Sequence, residues 1–340
     1  MRVAMYYNNQ NVRLEEMPVP KTGPGELLVK VMASGICGSD VMEWYRLKKA
    51  PVVLGHEIAG EIVEVGEGTR FSVGDRLFVS HHVPCNTCHY CLKGHHTVCD
   101  TLRTTNFDPG GFAEYVRVPP INVERGTVLL PDEMTYEEGT FIEPLACVLR
   151  GLRRAHMRPE QSVLVLGSGI SGLLQIQAAR ALGAGRVVAT DIDEYRLEAA
   201  RRFGADAVIH AEEDVPARLR DVNDGRLADL VILCAGALSA LDQAFRSTDR
   251  GGTILFFAPF EPGIDVSIPF WDLWRNQITV VSTYAGSPTD LVEAKDLILA
   301  RSVNVRDMIT HRLSLAETGL GFQLVAKAQD SIKVIIEPQK

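Results

Sequence analysis

Hydrophobic and polar positions follow two different patterns along the chain, and the change between them divides it. In roughly the first 130 residues, short alternating or apolar runs are separated by glycines, as in Leu27–Met32 and Ile58–Val65. These runs predict many short strands and a small barrel-like β domain. From about residue 150, apolar runs alternate with helical patterns, which predicts a parallel sheet covered by helices.

The most informative stretch runs from Val163 to Asp191. The apolar run Val163–Leu166 predicts a buried strand, a helical pattern follows, and a second strand, Val187–Thr190, ends on Asp191. The loop between the first strand and the helix has the spacing G-x-G-x-x-G and consists of Gly167, Ser168, Gly169, Ile170, Ser171 and Gly172. The stretch is therefore a βαβ unit with a glycine-rich first turn.

This loop predicts a dinucleotide-binding site. Its first glycine permits a tight turn, its second lets the backbone approach a pyrophosphate, and its third lets the helix pack against the strand. The positive end of the helix favours phosphate. Asp191 follows Gly172 by 19 residues, where a carboxylate accepts hydrogen bonds from the adenosine ribose and repels the extra phosphate of NADP. We therefore expect NAD; the alternative is a glycine-rich turn that binds no ligand.

Further helices and strands are predicted around this unit. They are a helix that begins at Glu143, a helix over Asp191–Gly204, strands over Ala207–His210 and Asp229–Cys234, a helix over Leu238–Ser247, strands over Gly251–Phe257 and Thr279–Ser282, a helix over Thr289–Arg301, a strand over Ile309–Leu313, a final helix near Leu315–Ala328 and an edge strand over Lys333–Glu337. The basic segment Trp44–Lys49 is interpreted as a solvated loop.

Two domains follow from this pattern. We expect the chain after about residue 287 to rejoin the first domain, so that residues 1–149 and 287–340 form one domain. Residues 150–286 then form the dinucleotide-binding domain, and residues 85–99 form a small lobe on the first domain.

Composition and charge exclude several classes of protein. The 340 residues are 46% hydrophobic and 23% charged, with a formal net charge of −8, so nothing points to nucleic acid or an anionic membrane as a partner. No apolar run is long enough to span a bilayer, and the first residues do not form a signal peptide. We expect a cytoplasmic protein, in which the seven cysteines favour metal or catalytic roles over disulfides.

Four of these cysteines predict a structural metal site. The spacing C-x2-C-x2-C-x7-C places four thiolates, from Cys85, Cys88, Cys91 and Cys99, in one short polar segment. Four thiolates close a tetrahedral shell around one zinc ion and leave no open position for chemistry. An iron–sulfur cluster is the rival, but the run lacks the ferredoxin spacing. Five histidines nearby are interpreted as surface residues rather than ligands: His81, His82, His89, His95 and His96.

A second set of possible ligands is dispersed: Cys37, His56, Glu57 and Glu143. These are residue types that zinc accepts. Each also has a structural interpretation, since Cys37 could be a small buried hydrophobe, His56 a hydrogen-bonded core histidine, and Glu143 a carboxylate at a helix start. The residues alone leave both interpretations open.

Taken together, these motifs resemble the zinc-containing medium-chain dehydrogenase/reductase family, within the alcohol, polyol and threonine dehydrogenase group. The matching elements, in chain order, are Gly35-Ile-Cys37-Gly-Ser-Asp40, Gly55-His56-Glu57, Gly66, Gly74-Asp75, the four-cysteine lobe, Glu143-Pro144, the Gly167–Gly172 loop and Asp191. The resemblance implies a GroES-like β-rich catalytic domain and a doubly wound Rossmann domain that binds the dinucleotide, which is an α/β fold.

The resemblance also implies roles for individual residues. Cys37, His56 and Glu143 are catalytic-zinc positions, and Glu57 either ligates the metal or stands directly behind it. Asp40 matches an acid that holds the metal-bound imidazole.

Other positions are implied for proton transfer and for the cofactor. Ser39 matches a hydroxyl that relays the alcohol proton in some members, while water and a Glu take that task in the polyol branch. The implied cofactor contacts outside the glycine-rich loop are Asp191 and Arg196 at the ribose, together with Cys234, Ala258, Thr283 and Tyr284.

Three departures from the family pattern fall on the implied substrate pocket. Met42 stands where threonine dehydrogenases and many polyol enzymes have His. Thr283-Tyr284 replaces the Arg-Tyr pair of the sorbitol type, and the segment between Cys37 and His56 is short. The zinc and NAD positions are all retained, so the chemistry is expected to be kept while the substrate differs.

The expected function is hydride transfer between the CH–OH group of a secondary alcohol, of polyol or sugar-alcohol type, and NAD. We expect two zinc ions per chain, one catalytic and one structural, and a cleft between the domains as the site of reaction. The alternatives are an L-threonine 3-dehydrogenase or other amino-alcohol dehydrogenase and, more remotely, a non-catalytic nucleotide-binding protein. The resemblance suggests a homotetramer or homodimer, with Gly263–Pro269 as a candidate contact.

Overall fold

The computed structural model describes residues 1–340, which form two compact units. The first comprises Met1–Ala146, Ala285–Ala300 and Val305–Lys340, and the second comprises Cys147–Tyr284 and Arg301–Asn304. None of the helices has the length and apolar character that a bilayer-crossing segment needs.

Sixteen strands make up the sheets of the two units. They are β1 (Arg2–Asn8), β2 (Asn11–Glu16), β3 (Leu27–Gly35), β4 (Val52–Val53), β5 (Glu57–Val65), β6 (Arg76–Ser80), β7 (Tyr115–Val118), β8 (Thr127–Leu129), β9 (Ser162–Leu166), β10 (Arg186–Asp191), β11 (Ala207–His210), β12 (Ala228–Leu233), β13 (Thr248–Phe256), β14 (Thr279–Ser282), β15 (Ile309–Ser314) and β16 (Lys333–Glu337).

Thirteen α-helices accompany them. They are α1 (Glu43–Arg46), α2 (His89–Leu92), α3 (Asp100–Thr104), α4 (Pro120–Gly126), α5 (Tyr136–Gly139), α6 (Ile142–Arg154), α7 (Ile170–Ala181), α8 (Glu194–Arg202), α9 (Val215–Val222), α10 (Leu238–Ser247), α11 (Phe270–Asn276), α12 (Pro288–Leu299) and α13 (Thr318–Lys327). Short 3-10 turns lie at Gly38–Val41, Leu47–Lys49, His96–Val98, Arg306–Met308 and Leu315–Glu317.

The first unit is built on a seven-stranded sheet with the order β15-β16-β3-β5-β6-β8, in which β7 also pairs with β3. A three-stranded sheet, β2-β1-β4, lies in the same unit. The long strand β3 is central, because it pairs antiparallel with β5, β7 and β16. The alternating and apolar runs of these strands fill two cores, one of which includes Val29, Val31, Ile58 and Ile62. The predicted strand-rich first domain is confirmed.

The prediction of an edge strand over Lys333–Glu337 is wrong. β16 lies inside the sheet, since it pairs parallel with β15 on one side and antiparallel with β3 on the other. Val334, Ile335 and Ile336 are fully buried, as is Lys333. A continuous apolar run fits an interior strand better than an edge strand.

The interpretation of Trp44–Lys49 as a solvated loop is also wrong in part. The segment forms α1 and a 3-10 turn, and Tyr45, Leu47, Lys48 and Lys49 are exposed as expected. The side chain of Arg46, however, is only 12% exposed and contacts Asp40. One helical turn aims this residue inward while its neighbours face solvent.

The second unit is a doubly wound α/β domain, as predicted. Its six strands are all parallel, in the order β11-β10-β9-β12-β13-β14, so that the chain runs outward from the centre twice. Three elements have the predicted bounds: Ala207–His210, Leu238–Ser247 and Thr279–Ser282. The helix predicted over Asp191–Gly204 is shorter, because Asp191 ends β10 and the Asp193 side chain caps α8 by accepting from Arg196 N.

Candidate metal centre and nucleotide-binding loop

The lobe brings its four cysteines together as one set of possible ligands. The four sulfur atoms, from Cys85, Cys88, Cys91 and Cys99, all lie within 4.8 Å of one another. The Cys85–Cys91 and Cys88–Cys91 sulfur separations are 4.0 and 3.6 Å. Tetrahedral zinc with Zn–S bonds of about 2.3 Å separates its sulfurs by about 3.8 Å. The four positions therefore fit a single tetrahedral ion.

Backbone N–H groups donate to two of the four sulfur atoms. The sulfur of Cys85 accepts from Cys88 N at 3.2 Å and from Thr87 N at 3.4 Å, and the sulfur of Cys99 accepts from Cys85 N at 3.4 Å. The pKa of the Cys85 thiol falls to about 5, because its sulfur accepts hydrogen bonds from the side chain and the backbone of Thr87 and from the backbone of Cys88. At Cys85 the thiolate, which is the form that binds metal, is thus favoured, whereas burial raises the pKa of the Cys91 thiol to about 12.

The lobe has almost no apolar core of its own. Its buried cluster consists of Cys91, Cys99 and Leu102, with Cys85, Cys88 and Ala285 packed against it. A bound ion would replace the missing hydrophobic stabilisation, which is the usual reason for a closed four-thiolate site.

A second cluster forms where two strands of the first unit pair. Cys37 follows β3, and His56 precedes β5; the strands run antiparallel, with Gly35 opposite Glu57. This register brings the Cys37 sulfur, a His56 ring nitrogen and a Glu57 carboxylate oxygen within 4.8 Å of one another. Cys37 and His56 are 19 positions apart in the sequence, so only strand pairing brings the thiol next to the imidazole and to Glu57.

Asp40 lies behind the imidazole of His56. Its carboxylate is fully buried, lies 3.3 Å from His56 Nδ1, and accepts from Cys37 N at 3.1 Å. Burial by itself would raise the pKa of Asp40, but His56, Arg46 and the Cys37 amide together lower it. Asp40 is therefore an anion that orients His56 and leaves the other ring nitrogen for a ligand.

The negative charge of Glu57 is balanced by Lys333, which lies 276 positions later in the sequence. Its buried carboxylate forms an ion pair with the buried ammonium of Lys333 on β16, and Lys333 Nζ also donates to Ile36 O at 3.3 Å. The pair fits against β3 because residue 35 has no side chain: a Cβ on Gly35 would lie 2.2 Å from Glu57 Oε2 and 2.7 Å from Lys333 Nζ. A larger residue here would displace the pair.

Ser39 and Glu143 occupy different positions relative to the cluster. Ser39 N donates to the Cys37 sulfur at 3.4 Å, so the serine lies directly beside it. Glu143 lies half-buried in the first turn of α6, as the sequence predicted for this helix, but its carboxylate is not among the three groups that lie within 4.8 Å of one another.

The prediction that all five histidines near the lobe are surface residues is wrong for three of them. His89 and His95 are exposed, but His81, His82 and His96 are half-buried. The His81 ring lies 4.8 Å from the His56 ring and 3.8 Å from the His82 ring, centroid to centroid. Burial, helped by His82 and His56, lowers the pKa of His81 well below its ordinary value. His81 is thus a neutral side chain that packs beside His56.

The glycine-rich loop of the second unit has the geometry that its spacing predicted. Gly167 has φ = 100°, which favours glycine, and a Cβ on Gly172 would lie 1.9 Å from Gly167 O. Ser168 N donates to Asp191 Oδ2 at 2.8 Å, so the loop and the end of β10 are joined. α7 begins at Ile170, immediately after Gly169. Its first backbone N–H groups therefore lie at the loop.

The remaining cofactor positions lie at the carboxyl ends of neighbouring strands. Cys234 N donates to Leu166 O at 2.9 Å, and Ala258 N donates to Leu233 O at 2.9 Å. Thr283 follows β14, and its buried hydroxyl is without a hydrogen-bond partner. Tyr284 is 48% exposed. This edge of an open parallel sheet is where such folds bind ligands.

Arg196 also reaches the glycine-rich loop. A Cβ built on Gly169 would lie 3.6 Å from Arg196 Nη1, and the buried Nε of Arg196 has no hydrogen-bond partner. A buried N–H without a partner is costly, and a phosphate or ribose oxygen would satisfy it.

Comparison with known proteins supplies the family. Residues 23–131 match the model of the alcohol dehydrogenase GroES-like domain, and residues 171–300 match the zinc-binding dehydrogenase model. The chain is 31% identical to the sorbitol dehydrogenase of Bacillus subtilis, in an alignment that covers 100% of this chain and 98% of that enzyme. The chain belongs to the zinc-containing medium-chain dehydrogenase family. It is therefore an alcohol-type oxidoreductase whose family uses zinc and a nicotinamide cofactor.

Other relatives of this medium-chain dehydrogenase differ in name and ligand. The L-threonine 3-dehydrogenase of Pyrococcus furiosus is 35% identical over 312 residues, which cover 88% of this chain and 87% of the relative. The crystal structure of a zinc-binding dehydrogenase candidate from Sinorhizobium meliloti 1021, bound to NADP, has a TM-score of 0.89, 30% identity and 99% coverage of both chains.

The side chains of this medium-chain dehydrogenase fit both groups that its family uses. The thiolate, imidazole and carboxylate of Cys37, His56 and Glu57 are donors that zinc accepts, and the four-cysteine lobe is a closed thiolate set. The Gly172 contact and the Arg196 Nε fit a pyrophosphate-containing cofactor at the loop.

Sequence reasoning missed three residues of the dehydrogenase site: Arg46, His81 and Lys333. No local motif marks them, although a Lys inside an apolar strand such as Lys333-Val-Ile-Ile is a signal of a buried partner. Arg46 lies four residues after Met42, and only the folded turn shows that it points back toward Ser39 and Asp40.

Proposed function

We propose that this protein is an NAD-dependent polyol or sugar-alcohol dehydrogenase that interconverts a secondary alcohol and a ketone. The observation that carries the proposal is the cluster of Cys37, His56 and Glu57, with Asp40 behind the imidazole. A buried acid that fixes a histidine beside a thiol and a second carboxylate is the arrangement that a catalytic zinc site requires.

The residues of the site would have different roles in this reaction. Cys37 and His56 would hold zinc with Glu57 or Glu143, and a bound zinc ion supplies a Lewis acid that lowers the pKa of the substrate hydroxyl. Asp40 keeps the His56 ring oriented through Nδ1. Ser39, beside Cys37, is placed to donate a hydrogen bond to a substrate oxygen, and Glu143 or water would take the proton away. The second unit would hold NAD at the glycine-rich loop.

A substrate panel tests the function. Full-length protein with zinc and NAD is assayed for NADH formation with sorbitol, xylitol, galactitol, 2,3-butanediol and L-threonine. We expect the highest kcat/KM among the polyols or diols. A panel in which no alcohol is oxidised above the rate without enzyme would refute the proposal.

L-Threonine 3-dehydrogenase is the second candidate. The relative from Pyrococcus furiosus, at 35% identity, favours it. Met42 argues against it, because this residue stands where threonine dehydrogenases have His. The same panel separates the two, because a threonine dehydrogenase should prefer L-threonine over every polyol by kcat/KM.

The choice of NAD over NADP is assigned to Asp191. Its two carboxylate oxygens accept from Ser168 N at 2.8 Å and Asp193 N at 3.1 Å, which keeps an anion at the loop where a 2′-phosphate would lie. We expect Asp191→Asn to lower kcat/KM for NAD by about tenfold to a hundredfold, since a hydrogen bond to a charged group contributes about 1.5–3 kcal/mol. NADP should gain relative to NAD. Initial rates with both cofactors measure this.

Glu194→Gln is the matched control for Asp191→Asn, because Glu194 is exposed and three residues away. It should leave the NAD-to-NADP ratio within twofold of wild type. A wild-type protein that prefers NADP, as the cofactor of the Sinorhizobium meliloti structure would suggest, would contradict the assignment.

We further propose that the protein is a homotetramer or homodimer that associates through the second unit. β14 is the last strand of its sheet, so one side of it has no partner strand. The helix that precedes β14 in the chain, α11, exposes Phe270, Trp271 and Trp274 by 70%, 68% and 62%. Large exposed aromatics in a unit that also has an open strand edge favour association with a second copy over permanent exposure to water.

Light scattering of the purified protein tests the assembly. We expect a dimer or tetramer, and we expect the double variant Trp271→Glu/Trp274→Glu to weaken association by about a hundredfold or more, because buried interface tryptophans commonly contribute about 2 kcal/mol each. Val73→Glu, which changes an apolar residue 61% exposed on the first unit, is the control and should keep the wild-type mass. A monomeric wild-type protein would rule this out.

A further inference from the structure

The guanidinium group of Arg46 reaches three acceptors in the segment that follows Cys37. Arg46 Nε donates to Ser39 O at 2.9 Å, and Nη2 donates to Ser39 Oγ at 3.0 Å and to Asp40 Oδ1 at 3.4 Å. We propose that Arg46 is a positioning residue of the dehydrogenase site, which neutralises Asp40 and fixes the Ser39 hydroxyl as a donor toward substrate. This inference rests on the proposed function.

Asp40 needs a positively charged partner because of its burial. Asp40 is fully buried, and an ionised carboxylate in such a place needs a cationic or hydrogen-bonding partner. A His56 that holds a metal ion is a neutral imidazole and donates one hydrogen bond to Asp40. Arg46 is then the full positive charge in contact with Asp40, at 3.4 Å and with its own side chain only 12% exposed.

A second buried carboxylate of the site is also paired with a cation. Glu57 is neutralised by Lys333, just as Asp40 is by Arg46. Each of these two buried carboxylates therefore has its own cation, because a buried charge without a partner is costly.

The same guanidinium also orients the Ser39 hydroxyl. Because Ser39 Oγ accepts from a guanidinium, one of its lone pairs is occupied and its own hydrogen is directed elsewhere. A charged donor also makes the hydroxyl a better donor in turn. The guanidinium has no acceptor atom and does not lose its proton. Arg46 therefore cannot receive a proton from Ser39, and the proton of the substrate must leave by another route, such as water.

The segment that contains Arg46 also departs from the family pattern. Met42, the position where related dehydrogenases have His, lies one helical turn before Arg46 and has no titratable group. The side chain that donates to Ser39 Oγ in this chain is the fixed cation of Arg46. Neither Met42 nor Arg46 can therefore accept a proton in this segment.

Metal affinity tests this proposal without depending on turnover. The full-length protein, loaded with zinc, is titrated with a chelator such as nitrilotriacetate, and the zinc that remains bound per chain is measured for wild type, Arg46→Met, Arg46→Lys and Lys48→Met. We expect Arg46→Met to weaken zinc at the Cys37–His56 site by about 10- to 100-fold, the usual effect of removing a residue that supports a ligand. Zinc at the four-cysteine lobe should be unchanged.

Kinetics on the same variants distinguish positioning from a purely structural role. With the best alcohol of the panel, Arg46→Met should lower kcat more than it raises KM, because Ser39 is misplaced. Arg46→Lys should recover most of the zinc affinity through its charge but only part of kcat, since an ammonium lacks the fork that reaches Ser39 and Asp40 together. Lys48→Met, an exposed residue of the same segment, should match wild type.

The outcomes separate this inference from the proposed function. If the wild type oxidises no alcohol but Arg46→Met still loses zinc selectively from the Cys37–His56 site, the proposed function fails and the positioning role stands. If Arg46→Met equals Lys48→Met in zinc affinity and kcat, the inference fails, whatever the activity. Should Arg46→Met not fold, as shown by loss of lobe zinc, Arg46→Lys decides, and wild-type values for both zinc and kcat would overturn the proposal.

Discussion

Replacement of Lys333 by Met is expected to lower the free energy of unfolding by about 3–5 kcal/mol. The substitution keeps the length and apolar stem of the side chain but removes the cation that pairs with Glu57, a residue only 1% exposed. Glu57 would then be a buried charge in the middle of the seven-stranded sheet. Urea denaturation of the full-length protein, followed by circular dichroism, measures the change.

Two further variants test whether the lost pair is the cause. Glu57→Gln/Lys333→Met removes both charges and should lose less stability than Lys333→Met alone, because the isolated charge is what costs most. Lys327→Met, at an exposed lysine of α13, should stay within about 0.5 kcal/mol of wild type. A loss below about 1 kcal/mol for Lys333→Met would contradict the view that this ion pair stabilises the sheet.

Replacement of Cys37 by Ala is expected to reduce kcat/KM by about 10³-fold or more. Cys37 is one of three groups in the candidate catalytic cluster, and loss of the Lewis acid that they would hold removes several kcal/mol of stabilisation from the transition state. Zinc bound per chain should fall from two to one, because the four-cysteine lobe is separate. NAD affinity, measured by fluorescence titration, should be nearly unchanged.

Cys147→Ala is the matched control, since it removes a half-buried thiol that belongs to neither metal set. It should retain two zinc ions and wild-type turnover. If Cys37→Ala, or likewise His56→Ala, kept full turnover, zinc at this cluster would have no part in the reaction. A wild-type protein that binds one zinc ion would limit metal binding to the lobe.

The parts of this molecule that the sequence predicted well are those whose residues are close together along the chain. The six-residue glycine loop and the four cysteines of residues 85–99 each act through spacing, and spacing is fixed before the chain folds. The alternation of apolar strands and helices likewise predicted the parallel six-stranded sheet, because each period is a local property.

The sequence by itself therefore determined the kind of fold, the nucleotide loop and the four-cysteine set, while the second set came out as Cys37, His56 and Glu57 without the predicted Glu143. Tertiary structure alone decided which charges accompany them. Lys333 reaches Glu57 because β16 is inserted beside β3 instead of lying at an edge, and Arg46 reaches Asp40 because a single helical turn folds back over Ser39. Buried ion pairs depend on strand order and on the direction of side chains. Residues 276 positions apart in the sequence therefore show no local pattern from which their contact could be predicted.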